Sequence, residues 1–163
     1  MINNAGINKI SSIDKIDIND VRNILYINLE VPTLISSIVS KNMIKKKNGK
    51  IINISSIFGL VSKEKRSSYS SSKFGILGLT KSSALDLASY NILVNSISPG
   101  FIDTKLTRKI LKLSGMKKMS KVVPVKRLGK VKEIAYLSMF LASSYNTYIT
   151  GQNIVIDGGF TSK

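Results

Sequence analysis

Tyr69 and Lys73 are the first two residues in this chain whose types and spacing could do chemistry together. They stand four apart, which puts both side chains on one face of a helix. A phenol ordinarily titrates at about pH 10, too high to exchange protons readily at neutral pH. A cation held beside it favours the phenolate and lowers that value. Tyr-x-x-x-Lys is therefore a workable acid–base unit. The chain has no histidine and no cysteine, which removes the commonest general base and metal ligand along with any thiolate site or disulfide. No metal site is expected. With six tyrosines and 25 Lys or Arg among 163 residues, about one Tyr-x-x-x-basic pair arises by chance, so the pair needs company.

Company is available. Ser55 and Ser56 follow a short β-branched run, Ile51-Ile52-Asn53-Ile54. In parallel α/β sheets the carboxyl ends of strands form the ligand crevice, where a hydroxyl can donate a hydrogen bond to a carbonyl. Asn3-Asn4-Ala5-Gly6 is a small-residue turn suited to close approach of a ligand. Ser98-Pro99-Gly100-Phe101-Ile102-Asp103-Thr104 follows another apolar run, and Thr150-Gly151-Gln152 and Asp157-Gly158-Gly159 bracket a last one. Each of these, standing alone, reads as a turn.

The elements that must position these residues alternate in type. Residues 1–19 read as loop. Asn19 or Asp20 caps a helix reaching to about Lys45, with Pro32 inside it as a bend. Strands are expected at 50–54, 92–97 and 152–156, and helices at 67–89 and 132–142. Residues 55–68 read as a polar loop and the basic stretch 105–132 as a mobile one. Strands alternating with helices predict an α/β fold with a parallel sheet, in one domain spanning 1–163.

Taken in order, Asn-Asn-Ala-Gly, Ile-Asn-Ile-Ser-Ser, Tyr-x-x-x-Lys, Ser-Pro-Gly-Phe-Ile-Asp-Thr and Thr-Gly-Gln-x-Ile-x-Ile-Asp-Gly-Gly resemble the short-chain dehydrogenase/reductase family over the whole chain. Within it they most resemble the 3-oxoacyl-acyl-carrier-protein reductase type of fatty acid biosynthesis. The resemblance implies the C-terminal part of a Rossmann-like doubly wound parallel sheet with flanking helices. It also implies an oxidoreductase that moves a hydride between NADP or NAD and a small carbonyl or hydroxyl substrate, which the carrier-protein reductases take as a 3-oxoacyl thioester on acyl carrier protein. By the same resemblance Tyr69 is the general acid or base, and Lys73 lowers its pKa and bonds the nicotinamide ribose. Ser56 orients the carbonyl, and Asn28 holds a water in the proton relay. Asn3, Ala5 and Gly6 lie near the cofactor's ribose, while Pro99, Gly100, Ile102 and Thr104 line its nicotinamide and phosphate side. The full-length form is expected to be a homo-oligomer.

The chain departs from the family pattern in two places. No Gly-x-Gly-x-x-Gly or similar run occurs among its 11 glycines, so the phosphate-binding turn is not in this sequence. The first motif matches the end of the family's fourth strand, so the expectation is a chain lacking three strands, with 51–54 left as an exposed edge, no tight dinucleotide binding and a tendency to associate. Tyr90 also stands where the carrier-protein reductases present a basic docking residue, though Lys47 is retained near the other such position. The alternative reading is a catalytically inactive fragment that serves as a binding or assembly partner.

Charge and hydropathy bound what remains. The net charge is +16, and between Lys105 and Lys132 there are 11 Lys or Arg and no acid. That stretch is read as a substrate lid, and the excess charge as compositional bias towards lysine, so no nucleic-acid partner is expected. No apolar run approaches the roughly 20 residues of a membrane span, and the first residues lack a signal peptide's basic start. The expected location is the cytoplasm.

Overall fold

The computed structural model of the chain describes residues 1–162; of Leu106, Ile110 and Leu113 only the backbone is described. Four parallel strands form the main sheet: β1 (Ile2–Asn3), β2 (Gly49–Ile54), β3 (Ile92–Pro99) and β6 (Asn153–Ile156), adjacent in that order. Parallel strands need crossovers. The first crossover carries α1 (Ile18–Leu25), a π-helical turn (Tyr26–Glu30) and α2 (Val31–Lys46), and the second carries α3 (Ser67–Leu87). The third carries α4 (Lys105–Val122) and α5 (Val131–Ala142). Within it β4 (Ile102–Asp103) pairs with β5 (Gly129–Lys130) as a separate two-stranded ribbon.

The strands are apolar on both faces because both are covered. Ile51 and Val94 face one side and pack with Ala84 and Leu87 of α3 and with Met43 and Ile44 of α2. Ile52 and Ile97 face the other and pack with Leu141, Leu137 and Ile134 of α5. Complete burial of each such isoleucine contributes about 1.5–3 kcal/mol. The polar residues between them are satisfied: Asn53 Nδ2 donates to Thr80 Oγ1 (2.9 Å), and Asn95 donates to the Ile149 carbonyl (2.7 Å) and accepts from Gln152 N (3.1 Å), which pins the approach to β6.

Four expectations are corrected. Residues 2–3 are not loop. The extended Met1–Asn3 segment lies beside β2, its register Ile2↔Ile52 and Asn3↔Asn53, and Ile52 N donates to the Met1 carbonyl (3.0 Å). The sheet therefore has four strands, not three, and 51–54 is an interior strand and no edge. The basic stretch that follows Thr104 is helical over α4, interrupted at Lys112, whose φ of 53 breaks the helix. Thr104 starts that helix, its Oγ1 accepting from Thr107 N (3.0 Å). The first long helix is capped by Asp17, whose carboxylate accepts from Asn19 N (2.8 Å), two residues ahead of Asn19 and three ahead of Asp20, the expected caps. Pro32 stands in the first turn of α2, directly after the π-helical turn Tyr26–Glu30. Among the described residues no helix is long and apolar enough to cross a membrane.

Candidate active site

The carboxyl ends of β2 and β3 open onto a cavity of about 470 Å³. Strand β2 ends at Ile54 and hands the chain to Ser55 and Ser56. Ser55 is turned inward, its Oγ donating to the Lys73 carbonyl (3.0 Å). Ser56 caps a 3₁₀ turn over Ile57–Gly59, its Oγ accepting from Phe58 N (3.2 Å). That turn lies against α3 so closely that a Cβ on Gly59 would come within 2.8 Å of the Lys73 carbonyl oxygen. Glycine is what permits the contact.

Helix α3 delivers the two predicted partners from its first turns. Tyr69 and Lys73 both line the cavity with Ser56. Lys73 is only 4 % exposed, and its Nζ donates to the Ile54 carbonyl (2.8 Å). An ammonium has three donors, so two remain for a ligand. Its Nζ lies 5.7 Å from the centre of the Tyr69 ring. Phe58 packs edge-on against Tyr69 and Phe101, at 6.3 and 6.4 Å between ring centres, and the Arg66 guanidinium sits over its face at 5.7 Å.

Burial sets the electrostatics. It pushes the Tyr69 phenol above its ordinary value, against the pull of the Ser56 hydroxyl and of the Arg66 charge. Burial drives the Lys73 ammonium down to about 8. The Arg66 charge favours the phenolate; the family resemblance assigns that effect to Lys73, whose Nζ stands over the same ring.

The opposite wall comes from the end of β3 and the segment beyond it. Pro99, Gly100, Ile102 and Thr104 all line the cavity, as does Gly6. Gly100 lies under Asp157, where a Cβ would approach the Asp157 Cα to 2.7 Å. Asn28 stands behind the cavity wall. Its Oδ1 accepts from Ile7 N (2.8 Å), and its Nδ2 donates to the Ile7 carbonyl (2.9 Å) and Ser72 Oγ (3.1 Å). It straps the loop around Ile7 to α3.

Two predicted residues fall elsewhere. Asn3 does not line the cavity; its Nδ2 donates to Asn53 Oδ1 (2.7 Å) and Ser36 Oγ (3.3 Å), locking β1 to β2 and α2. Ala5 is exposed and outside the lining. The cavity also contains Asn4 of the expected ligand turn, Thr107 and Leu111 of the stretch expected as a lid, and Asn8, Phe58 and Arg66, which nothing in the sequence singles out. A second cavity of about 190 Å³ shares Phe101, Ile102 and Ile134 with it and contains none of the acid–base residues.

The chain is similar to known proteins over nearly its whole length. The family model described as "Enoyl-(Acyl carrier protein) reductase" matches residues 1–161. A 3-oxoacyl-[acyl-carrier-protein] reductase of Thermotoga maritima is 38 % identical over 159 residues, covering 98 % of this chain and 64 % of the relative. A gluconate 5-dehydrogenase from Burkholderia cenocepacia, solved in complex with NADP and tartrate, superimposes with a TM-score of 0.95 at 31 % identity, over 99 % of this chain and 64 % of that one. A 4-hydroxyisoleucine dehydrogenase complexed with NADH superimposes with a TM-score of 0.94 at 35 % identity, over 99 % of this chain and 68 % of that one. The chain thus spans slightly under two-thirds of the length of the curated relative and the gluconate dehydrogenase. From a family model matching residues 1–161 and relatives 31 % and 38 % identical, it follows that the chain belongs to the short-chain dehydrogenase/reductase family.

Proposed function

We propose that the chain forms the nicotinamide and carbonyl half of an NAD(P)-dependent oxidoreductase that reduces a carbonyl to a hydroxyl. The observation that carries this reading is the convergence of Ser56, Tyr69 and Lys73 on one cavity at the carboxyl ends of parallel strands. The residues present fit the nicotinamide ribose end of the cofactor. Lys73 keeps two free donors, and Gly6 stands so near that a Cβ there would lie 3.6 Å from Lys73 Nζ. When bound, the nicotinamide supplies the hydride.

The chain's own residues handle the proton and the charge. In the reducing direction Tyr69 donates its phenolic proton to the carbonyl oxygen while the carbonyl carbon takes the hydride; in oxidation the phenolate takes the proton back. Burial raises the phenol above its ordinary value, and the Ser56 hydroxyl and the Arg66 charge pull against that rise and ease release of its proton. The Ser56 hydroxyl donates a hydrogen bond to the oxygen as negative charge develops on it. Lys73 bonds the ribose hydroxyls and replaces the proton lost from Tyr69. Asn28, its carboxamide committed to Ile7 and Ser72, is a positioning residue for that loop. Pro99, Gly100, Ile102 and Thr104 hold the nicotinamide side, and α4 covers the substrate through Thr107 and Leu111.

The test is isotopic. The purified protein is given NADPH or NADH deuterated at C4 of the nicotinamide ring together with a 3-oxoacyl thioester or a simple oxo acid. The reading expects one deuterium on the new carbinol carbon. Absence of deuterated alcohol with both dinucleotides and both substrates would contradict it and favour a role in binding or assembly.

A further inference from the structure

The proposed reaction employs Ser56, Tyr69 and Lys73 and gives Arg66 no task, although Arg66 lines the same cavity. Its placement is specific. The residue before it, Lys65, is held at a φ of 65, a strained conformation for lysine. The guanidinium is set over the Phe58 ring. Its Nη1 is shielded from solvent and has no hydrogen-bond partner. Among the described residues the ion pairs join Lys9 to Asp20, Lys63 to Glu64, Arg108 to Asp103 and Arg127 to Glu133, so Arg66 has no acid of its own. The cavity wall carries two cations, Arg66 and Lys73, and no Asp or Glu.

A guanidinium nitrogen buried without a partner costs free energy that an anion in the cavity removes. We infer that Arg66 is a specificity-determining residue that binds a carboxylate of the substrate, so that the substrates are oxo or hydroxy acids in preference to uncharged ketones or thioesters. The planar fork of arginine matches a carboxylate with two parallel hydrogen bonds. Arg66 stands three residues before Tyr69 at the start of α3, close enough for its charge to act on the phenol. The carboxylate and the reacting carbonyl therefore belong to one small molecule. Asn8, whose Oδ1 is also buried and unpaired, lines the same cavity and accepts a hydroxyl of that molecule.

This inference rests on the oxidoreductase reading for the identity of the ligand as substrate, but its test needs no turnover. The chain without dinucleotide is titrated with 3-hydroxybutyrate, with 3-hydroxybutanamide and with inorganic phosphate, following the Arg66 Nε–H resonance by ¹⁵N NMR. The acid is expected to shift that resonance saturably and to bind at least about tenfold more tightly than the amide, because a charge-assisted pair is stronger than a neutral one. Arg66→Gln, followed through the backbone amides of Ser67 to Tyr69, is expected to erase the preference. Arg66→Lys, which keeps the charge and loses the fork, is expected to retain part of it and guards against a folding defect in the first variant. Equal binding of acid and amide, a preference that survives Arg66→Gln, or tighter binding of phosphate than of carboxylate would overturn the assignment. Carboxylate selectivity without hydride transfer would defeat the oxidoreductase reading alone, and hydride transfer without selectivity would defeat this inference alone.

Discussion

Lys73 shows at the scale of a single residue how burial prepares a group for proton exchange. It is a cation inside the fold with one carbonyl for company, and its pKa falls to about 8 from an ordinary 10.5. The sign of the consequence is fixed. Between those two values the unfolded chain binds more protons than the folded one, so this group makes stability rise with pH across that window. A lysine Cε resonance is expected to titrate near pH 8 by ¹³C NMR and to vanish in Lys73→Met. A resonance titrating only above pH 10 would show that the ammonium is not desolvated. Tyr69, Lys73 and Ser56 were legible in the sequence because their types and spacing recur with the flanking Ala-Gly and Pro-Gly motifs. Arg66 was not. It sits in a polar stretch among lysines, and nothing in the local sequence shows that Phe58 and Tyr69 fold around it. Asn3 misled for a related reason: its carboxamide has an internal partner, Asn53, fifty residues away.

At the scale of elements, the site depends on how closely the turn after β2 approaches α3. A Cβ on Gly59 would meet the Lys73 backbone at 2.8 Å, and backbone cannot swing aside. Gly59→Ala is therefore expected to destabilise the protein by about 1–3 kcal/mol, measured by urea denaturation, and to weaken the Ser55–Lys73 contact that aligns Ser56. An unchanged midpoint would mean that the turn yields freely. Strands β2, β3 and β6 were readable within a few residues as short β-branched runs bounded by turn residues, and helices α3 and α5 as the stretches between them. β1 was missed because a two-residue strand has no periodicity to read, and its pairing with β2 is a tertiary fact. The helix in 105–122 was missed because its lysines hide any apolar stripe and Lys112 interrupts it.

For the whole molecule, the question is what covers the outer faces of α2 and α3. Leu34, Ile35 and Ile38 on the first, and Phe74 and Leu85 on the second, are exposed, Leu85 to 83 %. Apolar surface of this kind favours association, and the expected full-length homo-oligomer would use it. The chain is expected to show a concentration-dependent mass by light scattering, reduced towards the monomer in an Ile38→Lys, Leu85→Lys double variant. A mass independent of both concentration and substitution would exclude these faces as the contact. The net charge of +16 opposes such association at low ionic strength, so added salt is expected to strengthen it.

The central claim is that Tyr69 transfers the proton in a hydride-transfer reaction. The measurement that tests it most directly compares the rate of carbonyl reduction by the parent and by Tyr69→Phe, each joined to the phosphate-binding half of a relative, at matched, saturating dinucleotide. The phenylalanine ring keeps the packing against Phe58 and removes only the hydroxyl. The account predicts a loss of about 10²–10⁴-fold or more in turnover, with dinucleotide affinity changed little. A variant that retains a tenth or more of the parent rate would contradict it.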